Sequence, residues 1–258
     1  MNLLNIAWWG TSTNWGDAIN PVICELISGL EVNHIHSKDE NALQRHYCIG
    51  SILDHPSSTN FEIWGSGFIS KRSKLKFKPN KIHAVRGPLT RNLLLKQGYD
   101  CPEIYGDPAL LYPQFYKPVI EKEFKFGIIP HYADQNHPWL KQFENNPEVN
   151  IINILTNNTN NFVDEVNKCE VILSSSLHGI ICGDSYNIPS YWIELSNKVI
   201  GKGFKFRDYF GSVGRENVQA IMPKKRCDIA DISSQFDKYT INIDTNKLYE
   251  SCPFKKEL

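Results

Sequence analysis

A histidine at residue 178 stands where the sequence changes from a strand pattern to a helix pattern, which makes its imidazole the first candidate for chemistry. An apolar run at residues 171–173 predicts a buried strand, three serines follow, and Leu-His-Gly then opens a predicted helix. In open α/β sheets, ligands bind beyond the carboxyl ends of the strands, where a helix N-terminus favours an anion. An imidazole there can act as general acid or base. The structural alternative is that His178 caps the turn.

Two other strand-to-helix junctions carry charged side chains. Asp17 precedes a helix predicted over residues 18–28, so it is either the N-cap or a carboxylate at the mouth of a ligand cleft. Arg86 follows a strand predicted over residues 82–85. Its planar fork suits a phosphate or carboxylate ligand, or pairs with a carboxylate of the protein. The Gly-Ser-Gly loop at residues 65–67 lets the backbone approach a ligand closely, or is simply a turn.

The elements that position these residues alternate between strand and helix patterns, which predicts an α/β fold with parallel sheets. A Pro-, Tyr- and Lys-rich segment at residues 112–122 is the candidate linker. It separates an N-terminal Rossmann-like domain, residues 1–115, from a C-terminal one, residues 122–258, whose tail reaches back to the first. Two αβα halves of this kind would face each other across a cleft.

The composition excludes several classes of protein. Lys and Arg total 28, as do Asp and Glu, so the charge balance gives no support to a nucleic-acid partner. Residues 69–99 nevertheless carry nine basic and no acidic residues, and residues 198–226 carry eight basic and two acidic, which favours an anionic ligand or surface. Seven cysteines without a CxxC pair indicate reduced thiols rather than a disulfide frame or a zinc site. The absence of a signal peptide or a bilayer-length apolar run predicts a cytoplasmic location.

Five motifs in order resemble the polysaccharide pyruvyl transferase family, in particular its succinoglycan ketal-pyruvyl branch. They are NWGDAIN (residues 14–20), GSGF (65–68), VRGPLTR (85–91), GDPALL (106–111) and SLHG (176–179). The resemblance covers most of the chain and implies a two-domain fold like that of GT-B glycosyltransferases. It also implies a transferase that moves the pyruvyl group of phosphoenolpyruvate onto two hydroxyls of one sugar, with release of phosphate, and that needs no metal and no cofactor.

The resemblance assigns roles to residues of this sequence. The family histidine corresponds to His178, and many members carry an arginine where this chain has Ser176. Arg86, Arg91, Lys202 or Arg207 could supply the missing anion contact. The predicted catalytic residues are His178, as general acid or base, and Asp17, which orients or deprotonates the acceptor sugar. The predicted substrate-binding residues are Asn14, Gly16, Gly67, Arg86, Arg91, Asp107, Ser175, Ser176, Leu177, Gly179, Lys202 and Arg207. Asp107, like Asp17, could stabilise an oxocarbenium ion.

Two alternative functions remain open at this stage: a GT-B glycosyltransferase that uses a nucleotide sugar, and a non-catalytic carbohydrate-binding relative. The expected acceptor is a sugar of an exopolysaccharide, capsule or O-antigen precursor, carried on a lipid. The basic stretch at residues 71–81 could contact an anionic membrane surface, as a peripheral attachment, or the acceptor's diphosphate. Trp15, Phe68 and Tyr132 are candidates either for stacking on sugar rings or for core packing.

Overall fold

The computed structural model describes residues 3–10, 14–36, 43–56, 58–223 and 229–256, and within them it forms an α/β fold built on two parallel sheets. The first sheet is made by strands β1 (Leu4–Trp8), β2 (Val32–His36), β3 (Arg45–Tyr47), β4 (Phe61–Trp64) and β5 (Lys81–Ala84), in the order β2-β1-β3-β4-β5. The second is made by β6 (Phe124–Ile129), β7 (Val149–Ile151), β8 (Cys169–Ser174) and β9 (Ser190–Trp192), in the order β7-β6-β8-β9.

The strand order fixes where a ligand can bind. In the first sheet the chain runs from β1 outward to β2, then returns to the other side of β1 to form β3. In the second sheet β6 pairs with β7 on one side and with β8 on the other. Loops leave in opposite directions at such switch points and open a crevice at the carboxyl ends of the strands. Each sheet therefore has one crevice, between β1 and β3 and between β6 and β8.

Seven α-helices connect and cover the strands: α1 (Trp15–Ser28), α2 (Pro88–Lys96), α3 (Thr159–Asn167), α4 (Leu177–Ser185), α5 (Phe204–Ser212), α6 (Ile229–Ser233) and α7 (Thr245–Glu250), counting only described residues. Three 3₁₀ helices lie at Pro108–Gln114, Tyr132–Asp134 and Pro138–Phe143. The first of these begins within the GDPALL motif. None of the helices in the described ranges has both the length and the apolar character needed to cross a bilayer.

Helix α1 begins three residues earlier than the sequence predicted. The side chain of Asn14 accepts hydrogen bonds from the N–H groups of Gly16 and Asp17 and so caps the helix. Asp17 therefore lies inside the first turn, and its interpretation as the N-cap is wrong. Because α1 begins at Trp15, Pro21 is its seventh residue and lies inside the helix, where it has no N–H to donate to the carbonyl four residues earlier.

The largest of three hydrophobic clusters among the described residues extends through both halves. This cluster runs from β1 and α1 through the 3₁₀ helix at Pro108–Gln114 to α3, α4 and β8. Trp15 is fully buried in this cluster, and its indole N–H donates to the carbonyl of Thr159 at 3.2 Å. The backbone N–H of Trp15 also donates to the carbonyl of Ile154, at 2.8 Å. Apolar packing and main-chain hydrogen bonds together hold the two crevices face to face.

The tail returns to the first half. Helix α7 packs on the 3₁₀ helix at Pro108–Gln114, and the carbonyl of Leu248 accepts the indole N–H of Trp64 at 3.0 Å. Phe254 lies edge-on to the Trp64 ring, with the centroids 5.5 Å apart. The N–H of Lys256 donates to the carbonyl of Ile27 at the end of α1. Residues 245–256 thus close one flank of the first sheet.

Candidate functional site

The two crevices open into one cleft between the halves, with a cavity of about 270 Å³. The first half contributes the ends of β1 and β3, the start of α1 and the loop after β4. The second half contributes the loop after β6, the start of α4 and the start of α5. The polar residues that line it are Asn14, Asp17, Ser51, His55, His131, Ser176, His178 and Lys205. A larger cavity of about 1290 Å³ lies at the amino ends of the first sheet's strands, the edge where parallel sheets do not place their ligands.

Two of the three serines before His178 hydrogen-bond the end of β8 to neighbouring segments, and the third leaves the start of α4 without a side-chain cap. Ser174 Oγ donates to the carbonyl of Ile129 at 2.9 Å, and Ser175 Oγ donates to Asp134 at 3.0 Å. The first bond joins the ends of β8 and β6, and the second joins the residue after β8 to the segment after β6. Ser176 is the N-cap of α4 but its side chain makes no capping hydrogen bond. The N–H groups of Leu177 and His178 lie in the first turn, where no intrahelical acceptor exists. The start of α4 therefore presents free donors to the cleft.

The His178 imidazole lies between Gly16 of α1 and the buried carboxylate of Asp107. A Cβ added to Gly16 would lie 1.9 Å from His178 Nδ1, so only glycine leaves room for the ring at its present position. His178 Nε2 lies 3.8 Å from Asp107 Oδ2. Both atoms are buried, and neither has a hydrogen-bond partner among the described residues. Since Asp107 is fully buried, it faces the imidazole and not the cleft, and can act on a substrate only through His178.

Asp17 lies in the cleft as a nearly buried carboxyl group. It is 8% exposed, and Asn14 Nδ2 donates to its Oδ2 atom. Desolvation raises the pKa of Asp17 from 3.8 to about 8. At neutral pH the group is therefore mostly protonated. A neutral carboxyl can donate a proton to a substrate, a role opposite to the base or oxocarbenium-stabilising carboxylate that the sequence predicted.

Lys205 supplies a cation to the cleft, although its position in the sequence did not single it out as a site residue. It lies in the first turn of α5, lines the cavity together with Ser176 and His178, and pairs with no carboxylate among the described residues. Burial, with a smaller contribution from the charge of Arg86, lowers the pKa of Lys205 to about 8. The basic segment near residue 205 was visible in the sequence. Its helical phase, which decides which basic residue turns inward, was not.

Arg86 is fully buried and engaged by the protein, which is the second of its two interpretations. Its Nε atom donates to Asp208 Oδ2 at 3.0 Å, and its other nitrogens donate to Ser51 Oγ and the carbonyl of Phe68. A Cβ on Gly67 would lie 2.5 Å from the guanidinium carbon, so Gly67 makes room for Arg86 rather than for a ligand. In this conformation the guanidinium lies behind Ser51 and is not open to the cleft.

Other predicted residues lie away from the cleft. Arg91 Nε donates to the carbonyl of Cys101, and Lys202 and Arg207 line a separate groove. Gly179 packs on Ser174 and Ile129, where a Cβ would collide with Ser174 Oγ at 2.4 Å. Ser175 is buried, and its hydroxyl is engaged with Asp134.

The three aromatic candidates differ in their exposure to the cleft. Trp15 and Phe68 are fully buried in the core, so neither can stack on a sugar ring. Tyr132 is 49% exposed and lines the cleft. Trp9, which was not among the predicted residues, also lines the cleft, from the first half of the chain. The cleft therefore offers two accessible aromatic rings for a sugar.

A family model described as polysaccharide pyruvyl transferase matches residues 56–197. This range contains His178 and Asp107, and it leaves Asp17 and Lys205 outside. A protein of Acanthamoeba polyphaga mimivirus, described as uncharacterized protein L143, is 30% identical over 253 residues, which cover 93% of this chain and 85% of that protein.

Proposed function

We propose that this chain, which belongs to the polysaccharide pyruvyl transferase family, transfers the pyruvyl group of phosphoenolpyruvate to two hydroxyls of one sugar and forms a cyclic ketal. The acceptor sugar belongs to an exopolysaccharide, capsule or O-antigen precursor. The observation that carries the proposal is the meeting of three groups in one cleft: the imidazole of His178, the neutral carboxyl of Asp17 and the unpaired ammonium of Lys205. The two facing crevices also suit a GT-B-like arrangement.

The reaction needs two proton transfers that these groups can perform. In the first step one sugar hydroxyl adds to C2 of phosphoenolpyruvate, loses its proton, and C3 gains a proton to become a methyl group. In the second step the other hydroxyl attacks C2, and phosphate leaves with the second proton. The protonated Asp17 is suited to deliver the proton to C3. His178, with Nε2 turned to Asp107, uses Nδ1 to accept the hydroxyl proton.

The anionic donor requires positive partners. Phosphoenolpyruvate carries a phosphate and a carboxylate, and the start of α4 offers free N–H groups at the positive end of its dipole. Lys205 supplies a full positive charge at the same cavity. We assign to Lys205 the anion contact that an arginine makes in family members, where this chain has Ser176. No metal ion or cofactor enters this proposal, in which phosphoenolpyruvate is the donor substrate.

The acceptor is proposed to be carried on a lipid. That would place the protein at the cytoplasmic face of a membrane, with the cleft near the headgroups. Tyr132 and Trp9 would hold the sugar ring by stacking across the cleft.

The test is phosphate release from phosphoenolpyruvate by the purified chain, offered a panel of lipid-linked and aryl-tagged hexosides. We expect acceptor-dependent release and an acceptor heavier by one pyruvyl ketal. His178→Ala should lower kcat by about 10²–10⁴-fold, the usual contribution of a general acid or base. Lys205→Gln should raise the KM for phosphoenolpyruvate at least about tenfold, as expected for loss of a charged contact. Lys141→Gln, on an exposed surface, is the matched control.

Two results would overturn the proposal. One is consumption of a nucleotide sugar with no use of phosphoenolpyruvate, which would identify a glycosyltransferase. The other is a protein that binds sugar but does not bind phosphoenolpyruvate and releases no phosphate with any of the acceptors. This result would identify a carbohydrate-binding protein. Wild-type turnover by His178→Ala would remove the role given to the imidazole.

A further inference from the structure

A second cavity, here called the basic groove, adjoins the catalytic cleft. It has a volume of about 540 Å³ and is lined by the loop after β4, the start of α2 and the segment that enters α5. Its charged lining consists of Lys71, Arg72, Lys202 and Arg207, and its apolar lining includes Leu89 and Phe204. No Asp or Glu lines it. The lining of the groove thus includes both cationic and apolar side chains.

The four cations are free to bind an anion. Among the described ion pairs, none joins any of them to a carboxylate. The Arg207 guanidinium is held in place, because one of its nitrogens donates to the carbonyl of Lys202 at 2.8 Å and its carbon lies 5.4 Å from the Trp192 ring centre. Its remaining N–H groups keep their capacity for phosphate oxygens. Side chains of like charge gathered without counter-charges favour an anion of more than one charge.

The groove and the cleft share a wall. Ile69 and Ile200 line the cleft, while their chain neighbours Ser70 and Gly201 line the groove. A Cβ on Gly201 would lie 2.0 Å from the carbonyl oxygen of Ile69, so the two backbones touch with no side chain between them. Lys205 faces the cleft and Arg207, half a turn further along α5, faces the groove. The two cavities are therefore separated only by this backbone contact, and a ligand that occupies both would lie over it.

We propose that the basic groove binds the diphosphate of a glycosyl diphosphate acceptor while its sugar occupies the cleft. The inference rests on the proposed function, since it concerns the acceptor of that reaction. A diphosphate diester carries two negative charges on adjacent phosphates, which matches a groove with two cations from each half. Prenyl carriers and nucleotides both present this group. The apolar side chains of Leu89 and Phe204 would meet the first carbons of a prenyl chain or the face of a nucleobase.

The test measures binding of inorganic pyrophosphate by calorimetry at low salt, in the presence of saturating phosphoenolpyruvate to occupy the cleft. The groove variant is Lys202→Asn with Arg207→Gln. Asparagine is chosen because residue 202 has a positive φ of 48°, which asparagine tolerates. The control is Lys96→Gln with Lys141→Gln, two exposed lysines outside the groove. Wild type and control should each bind one pyrophosphate, and the groove variant should bind at least about tenfold more weakly.

Equal binding by the groove variant and the control, or displacement of pyrophosphate by phosphoenolpyruvate, would overturn the inference. Failure of the proposed function is seen separately, as absence of phosphoenolpyruvate binding. In that case the pyrophosphate titration is repeated in the Lys205→Gln background, which removes the cation of the cleft, so that binding to the groove is still measured. Geranyl diphosphate and UDP are then titrated to identify the carrier of the diphosphate. Tighter binding of geranyl diphosphate than of pyrophosphate indicates a lipid carrier, and tighter binding of UDP indicates a nucleotide carrier.

Discussion

Replacing Asp17 by Asn should stabilise the protein while removing activity. Asparagine is neutral, has nearly the same shape, and can still accept the hydrogen bond from Asn14. The wild-type carboxyl, in contrast, is ionised in the unfolded chain at neutral pH and must take up a proton to be buried. Its pKa in the folded protein is about 8, against 3.8 in a model peptide. Folding of the wild type therefore becomes less favourable as the pH rises between these two values.

The size of the effect follows from proton linkage. Each pH unit between 3.8 and about 8 costs the wild type about 1.4 kcal/mol relative to a residue that does not titrate. The cost is absent below pH 3.8 and complete above pH 8, with an upper limit of about 6 kcal/mol. Asparagine retains part of the cost of burying a polar group. We therefore expect the stability of Asp17→Asn relative to the wild type to rise by up to about 4 kcal/mol from pH 5 to pH 8, and to favour the variant at pH 8.

The assay is urea unfolding of both proteins from pH 5 to pH 9, compared as a difference in the free energy of unfolding. Groups common to both proteins cancel in that difference. Asp100→Asn, a change at an exposed carboxylate, is the control and should show no such trend. In phosphate-release assays, wild-type kcat/KM should fall as the pH rises through 8, because the proton donor is lost. A stability difference that is independent of pH, or a destabilised Asp17→Asn, would refute the burial argument.

Two further predictions concern the surroundings of His178. Asp107→Asn keeps an oxygen for the N–H of Ala109, but turns an amide toward His178 Nε2 and reverses the imidazole tautomer. In steady-state kinetics it should lower kcat by about 10²–10⁴-fold and leave the KM for phosphoenolpyruvate nearly unchanged. An unchanged kcat would contradict the role of Asp107 in orienting the imidazole. Gly16→Ala places a methyl group 1.9 Å from the present position of Nδ1. It should lower kcat at least about 100-fold, as expected when a catalytic group is displaced by an ångström, with urea unfolding to check that the fold persists and full activity as the contrary result.

Local pattern was enough to place the strand-to-helix junctions. The apolar run before the serines predicted β8 and α4 at His178, because both elements are encoded by neighbours in sequence. The same reasoning placed Asp17 at the start of α1. The predicted N-cap, Asp17, was wrong by three residues, because the side chain of Asn14 accepts the hydrogen bonds that cap α1. Alternating elements predicted the α/β class and parallel sheets, which the structure confirms.

The chemical state of these side chains depended on contacts distant in sequence. Arg86 is paired with Asp208, 122 residues away, a partner that no local pattern announces. The depth of Asp107 follows from how the 3₁₀ helix after it packs against α1 and α4. Lys205 was passed over for Lys202 and Arg207 because the start of α5 sets which side of the basic segment faces the cleft. Sequence supplied the candidates, and tertiary packing selected among them.

The position of residues 245–256 has a consequence for how the protein is made. Trp64 belongs to the first sheet and is fully buried, yet its hydrogen-bond acceptor, Leu248, lies 184 residues downstream. A ribosome makes about 5–20 residues each second, so the first half waits roughly 10–40 seconds for the segment that covers it. During that interval its open flank exposes Trp64 and neighbouring apolar surface. The early half of the nascent chain should therefore depend on chaperones, and synonymous codons that slow the second half should lower the yield of folded protein.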